Sequence, residues 1–99
     1  MTTDEFIGRL IVSQFNMLLR SNPFLSILMD KYELKYVSFF GGELIVTGTK
    51  NFDVKMFDLA KHILIDEAKK TITKYDLKNL KQIKILDPNN QPILIEIKS

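Results

Sequence analysis

The chain has no cysteine. That absence removes disulfides, thiolate nucleophiles, iron–sulfur clusters and cysteine-bound zinc together. Histidine occurs once, as His62, and arginine only as Arg9 and Arg20; the other twelve of the fourteen cations are lysine. Base-specific readout of nucleic acid relies on bidentate guanidinium contacts, and two arginines are a poor supply. The twelve acidic residues reduce the net charge to +2, which is weak as an electrostatic footprint for nucleic acid. No apolar run approaches the ~20 residues that span a bilayer. The first residues, Met-Thr-Thr-Asp-Glu-Phe, are acidic where a secretory signal is basic, and the expected location is a cytoplasm.

What remains is an ordinary globular composition. With 99 residues, 45% apolar and 26% charged, the chain reads as one domain with a modest core. This content also excludes disorder over most of its length.

Five segments carry periodic signals. A helix is expected from Asp4 to Arg20, with Thr2 and Glu5 as a capping box and Asp4 and Glu5 favourable at the positive end of its dipole. Its apolar arc covers more than half the circumference, and Arg9, Ser13, Asn16 and Arg20 form a narrow polar stripe. Ser21-Asn22-Pro23 ends it and opens a short helix, Phe24 to Asp30, capped by Ser21 or Asn22. Tyr32–Phe40 and Glu43–Thr49 form a hairpin around Gly41-Gly42, a pair suited to the positive φ angles of a two-residue turn. Simple alternation puts Val37 and Phe39 on one face and Leu34, Tyr36 and Ser38 on the other.

A long helix is expected from Phe52 to Ile72, capped by Asn51 or Asp53. Lys55, Asp58, His62, Asp66 and Lys69 face solvent, while Met56, Leu59, Ala60, Ile63, Leu64 and Ala68 line the core. Residues 71–81 are ambiguous between continued helix and projecting coil. A second hairpin follows, Gln82–Leu86 and Ile93–Lys98, around Asp87-Pro88-Asn89-Asn90-Gln91-Pro92. The expected fold is α+β: a four-stranded antiparallel sheet from two hairpins with helices on one face, in the order helix, short helix, hairpin, long helix, hairpin.

No catalytic set stands out. Asp58, His62 and Asp66 share a helical face and suggest a metal or proton-transfer site. Such i,i+4 charge patterns are routine surface dressing, however, and a solvent face offers no cavity, so no metal, cofactor or enzymatic role is assigned. Gly41-Gly42 lacks the Lys-Ser/Thr and the helix that a phosphate loop needs. The serines have no glycine elbow and no base beside them. Lys69, Lys70, Lys74, Lys78, Lys81 and Lys84 have only Asp76 as an acidic neighbour. If helical, Lys70, Lys74, Lys78 and Lys81 make a basic ridge able to contact phosphates. The bland alternative, favoured by the small net charge, is a solvated projection. Tyr32, Tyr36, Phe39 and Phe40 lack the signature of a base-stacking sheet and read as core or dimer contact.

The apolar surplus of the helices is the most informative feature. A four-stranded sheet covers one side of them, and large exposed apolar patches are uncommon on soluble monomers. A symmetric homodimer buries the rest most simply. Ile11, Phe15, Leu18, Phe24 and Leu28 are the expected interface residues.

Two resemblances bear on this expectation. The compact cysteine-free chain, the Ile/Leu/Lys-rich stretch Phe52–Ile72 and the terminal Lys-Ile-Lys-Ile-Leu…Ile-Leu-Ile-Glu-Ile hairpin resemble small uncharacterised proteins of filamentous viruses that infect hyperthermophilic, acidophilic archaea. No site residues come with that likeness; it implies a host cytoplasm or a virion as the location. The order of helix, Phe39-Phe40-Gly41-Gly42-Glu43-Leu44 hairpin, long helix and Ile83-Lys84-Ile85-Leu86 hairpin is similar to roadblock/longin-type dimerisation modules, without their third strand and final helix. That likeness implies protein binding rather than catalysis. The expectation from sequence is a non-enzymatic homodimeric interaction protein with a further, unidentified protein partner. The alternative is a nucleic-acid-binding dimer using Lys70, Lys74, Lys78 and Lys81.

Overall fold

The computed structural model describes residues 3–50, 54–76, 79–88 and 91–97; the side chains of residues 54 and 56 lie outside the description. The expected caps Thr2, Asn51 and Asp53 therefore fall outside the described residues. Helix α1 (Thr3–Ser21) is followed by the short helix α2 (Pro23–Leu28), then strands β1 (Leu34–Phe40) and β2 (Glu43–Gly48), helix α3 (Val54–Lys74), and strands β3 (Gln82–Leu86) and β4 (Pro92–Glu96).

Local chemistry sets the junctions. Asn22 is the N-cap of α2: its Oδ1 accepts from the backbone N–H groups of Phe24 and Leu25, both at 3.0 Å, and Pro23 occupies the first turn, where no donor is needed. Gly41 and Gly42 take φ of 62° and 82° in the first hairpin turn, values that a Cβ disfavours. Helix α3 stops at Lys74, and Asp76 just beyond it sits at φ 51°, the left-handed conformation that ends many helices.

The fold is α+β with a four-stranded sheet in the order β1-β2-β3-β4. The two hairpins are present, but the sheet is mixed. Strands β1/β2 and β3/β4 pair antiparallel, whereas β2 and β3 run parallel, with Val46 opposite Ile85. The expectation of a purely antiparallel sheet is corrected here, and the reason is the length of α3. Its 21 residues span ~30 Å at 1.5 Å per residue, so the helix returns the chain across the sheet to the end where β2 began. A strand entering there lies parallel to β2.

The helices share one face of the sheet. Ile7, Ile11, Phe15 and Leu19 of α1 and Phe57, Ala60, Leu64 and Ala68 of α3 join Leu44, Val46, Ile83, Ile85 and Ile95 in one core. Full burial of side chains such as Phe15 and Phe57 contributes about 1.5–3 kcal/mol each. Gly8 lets α1 come close to the sheet: a Cβ there would lie 2.6 Å from Tyr36 Cε2 and 3.0 Å from Leu44 Cδ1. Phe6 meets Tyr75 edge to face at 6.2 Å, which ties the start of α1 to the chain just past α3 and sets the two helices in opposite directions.

One irregularity re-aims β1. Tyr36 pairs with Val46, yet Ser38 pairs with Ile45, the very next residue of β2. Val37 is the extra residue of a β-bulge, and beyond it the side-chain alternation reverses. Leu34, Tyr36 and Phe39 therefore face the helices, while Val37, Ser38 and Phe40 face away. This corrects the expected pairing of Val37 with Phe39 on one face. Leu59, expected in the core, is also half exposed on α3.

Candidate functional site

Two surfaces stand out, and both are built by β1. The first is the sheet face turned away from the helices. Strand register places three rows across it: Phe40, Glu43, Gln82 and Glu96; Ser38, Ile45, Lys84 and Leu94; Lys35, Thr47, Leu86 and Pro92. No described helix covers this face. Phe40 is 87% exposed, Leu94 59% and Val37 49%, with half-buried Ile45 and Leu86 between them. Charges of both signs are interspersed. Gln82 Nε2 donates to Glu43 Oε2, and the Thr47 hydroxyl donates to the Leu86 carbonyl at 3.1 Å.

The second surface is a groove of about 460 Å³ between α1 and the outer edge of β1. Arg9, Ser13, Asn16 and Arg20, spaced along one stripe of α1, form one wall; Leu34, Lys35 and Tyr36 form the other. Both arginines of the chain are here. The Arg9 guanidinium lies 4.7 Å from the centre of the Tyr36 ring, the cation–π arrangement. Arg9 also reaches Glu5 at 3.5 Å, and Arg20 reaches Glu33 at 3.7 Å. Exposed pairs of this kind contribute only ~0.2–1 kcal/mol. Asn16 pairs with the strand edge itself: its Oδ1 accepts from Leu34 N–H and its Nδ2 donates to Leu34 C=O, both at 2.9 Å.

A buried polar pair closes one end of the sheet. The Tyr32 side chain is 3% exposed; burial pushes its phenol well above the ordinary tyrosine range, and the Asp87 carboxylate nearby adds to the rise. Asp87 Oδ1 is buried with no hydrogen-bond partner among the described residues.

The residues singled out from sequence are dispersed. Ile11 and Phe15 are fully buried in the chain's own core, so neither has surface to offer a partner; the broad arc of α1 is consumed between α3 and the sheet. Leu18 and Leu28 are half-buried, and Phe24 is 63% exposed on α2. Lys70 and Lys74 are exposed on α3, Lys70 within 3.7 Å of Glu67 and Lys74 over the Tyr75 ring at 5.6 Å. Lys78 lies outside the described residues. Lys81 stands past the helix end, its N–H donating to Gly42 C=O at 2.7 Å. The sequence leaves residues 71–81 open between helix and coil; α3 ends at Lys74, so Lys70 and Lys74 lie on the helix and Lys81 does not. Asp58, His62 and Asp66 are exposed on α3, and among the described residues no group of three or more acidic, His or Cys side chains is placed to hold a metal ion. Among the described residues no helix is long and apolar enough to cross a membrane.

Sequence reading missed the outer sheet face. Its one legible signal was β4, where Leu94 is apolar at a position alternating with Ile93 and Ile95. The Arg9–Arg20 stripe was legible, but not that it lies along a strand edge. No family model, no curated protein and no solved structure matches the chain.

Proposed function

We propose that the protein is a non-enzymatic interaction module that works as a homodimer, with the outer face of its sheet as the contact between the two copies. One observation carries the reading. Among the described residues the sheet is covered by helices on one side only, and its other side bears Val37, Phe40, Ile45, Leu86 and Leu94 as a run of large apolar side chains. An open sheet face that stays in water is ordinarily polar, and apolar patches of this kind mark contact surfaces. A twofold contact requires a self-complementary patch. Here Lys35 and Lys84 on the same face as Glu43 and Glu96 provide cations and carboxylates that a second copy can match. Two such sheets pack about 10 Å apart.

The test is the absolute mass by light scattering after size exclusion, at moderate salt, for the wild type and for Val37→Lys/Leu94→Lys. The expected result is a dimer that becomes a folded monomer, with its helical circular dichroism retained. A wild-type monomer, or a variant that remains a dimer, overturns the reading.

A further inference from the structure

The two edges of the sheet end differently. On β1 the outward backbone groups of Leu34 are held by Asn16. On β4 the one described neighbour is β3. The Ile97 N–H donates to the Lys81 carbonyl at 2.8 Å, which fixes the alternation of the ladder: Ile93, Ile95 and Ile97 bond to β3. The Gln82 N–H, turned toward the β2 side and held by the Gly42 carbonyl at 3.2 Å, agrees with it, because Gln82 then exchanges no bond with Glu96 opposite. Pro92, Leu94 and Glu96 therefore direct their backbone groups to the outer edge. Among the described residues no partner takes up the outward N–H and C=O groups of Leu94 and Glu96. Such an edge is a template for a further strand.

Side chains and proline select which strand fits. On the helix side of β4, Ile95 is buried, while Ile93 and Ile97 are half-buried at the rim of the core. An added strand must therefore be apolar on that side, and β4 of a second copy is such a strand. Laid antiparallel about Ile95, it sets Ile95 against Ile95, Ile93 against Ile97, and Leu94 against Glu96. This register takes up every outward donor and acceptor of Leu94 and Glu96 in both copies, and it covers the exposed parts of Ile93 and Ile97 with each other. Centred on Leu94 instead, Pro92 would face Glu96 and offer its carbonyl no donor.

We propose that β4 pairs antiparallel with β4 of a second copy through the outward backbone groups of Leu94 and Glu96, joining two sheets edge to edge. This contact is separate from the outer-face dimer: the side chain of Leu94 belongs to the face, and its backbone to the edge. Two twofold contacts on different surfaces link dimers into a larger assembly. An edge buries far less surface than a sheet face, so the edge contact forms at higher chain concentration than the outer-face dimer.

The test is sedimentation velocity and amide hydrogen exchange of the full chain, from micromolar to millimolar concentration. The chains compared are the wild type, Glu96→Pro and Val37→Lys/Phe40→Lys. Proline at 96 removes an outward N–H and leaves the bonds between β3 and β4 in place. The mass is expected to rise with concentration in the wild type and in Val37→Lys/Phe40→Lys, and to stay at its dilute value in Glu96→Pro. Exchange at the Leu94 and Glu96 amides of the wild type is expected to slow at least tenfold over the same range, a readout that needs no variant. A mass independent of concentration overturns the proposal. So does an equal rise in a folded Glu96→Pro, or a rise that leaves exchange at Leu94 and Glu96 unchanged. The outer-face dimer stands or falls on the dilute mass of the wild type, which Glu96→Pro leaves as it is, so the two failures are told apart.

Discussion

The carboxamide of Asn16 on α1 makes two 2.9 Å hydrogen bonds with the backbone of Leu34 on β1, on the side of β1 where no described strand pairs. It joins the polar stripe of the helix to the edge of the sheet and satisfies two backbone groups at once. Asn16→Ala is expected to destabilise the fold by about 1–2 kcal/mol, since both groups lose their partner at a half-buried position. Asn16→Asp is expected to cost more, because it keeps the acceptor but sets a carboxylate oxygen against the Leu34 carbonyl. Urea denaturation of the two variants checks the order.

Gly8 is a close contact between α1 and the sheet. Alanine raises helix propensity by about 1 kcal/mol in a helix interior. Its Cβ, however, would lie 2.6 Å from Tyr36 Cε2, and forced overpacking costs roughly 1–3 kcal/mol. Gly8→Ala is therefore expected to be destabilising overall, and to disturb the Arg9–Tyr36 stack that rides on the same ring. A lowered thermal midpoint together with a changed Tyr36 ring shift is the expected signature. A higher midpoint would mean that the ring moves aside freely.

Tyr32 makes stability depend on alkaline pH. Its folded pKa is raised above the ordinary value of 10.0 by burial and by Asp87, so the neutral phenol is the form that folding favours. The stabilisation is fully present below about pH 10, where a tyrosine of the unfolded chain begins to ionise. It is lost progressively as pH rises toward the folded value. Denaturation profiles from pH 8 to 11.5 are expected to fall more steeply for the wild type than for Tyr32→Phe. Parallel profiles would remove Tyr32 from the account.

The bulge at Val37 gives an unusual deletion. Without Val37, Leu34, Tyr36 and Phe39 alternate regularly toward the helices. A deletion of Val37 is expected to fold with a loss of about 1 kcal/mol or less. Deletion of Lys35 shifts Leu34 to the wrong face, exposes a core residue and is expected to cost about 2–5 kcal/mol. Circular dichroism and urea midpoints of the pair read the difference directly.

Much of the architecture was legible from short-range chemistry. Gly41-Gly42 between two β-rich runs specified the first hairpin, because only a residue without a Cβ takes those φ angles easily. Asn22-Pro23 specified the break between α1 and α2, and the spacing of Ala60, Leu64 and Ala68 specified the inner side of α3. These signals are local: each follows from a residue's own backbone preference or from the period of one element.

The partners of each element were decided only in three dimensions. The broad apolar arc of α1 looked like a surface awaiting a second copy, yet Ile11 and Phe15 are spent inside the chain, because α3 lies beside α1 while the sheet lies beneath it. Alternation along β1 could not reveal the bulge, since an inserted residue leaves the sequence looking regular while it reverses every side chain beyond it. The parallel meeting of β2 and β3 depends on where a 21-residue helix delivers the chain. The composition of β2 and β3 does not encode that direction. Sequence determined the elements and their turns, because those are set by neighbours in the chain. Tertiary structure decided which faces were left over, because burial is a property of what each face meets.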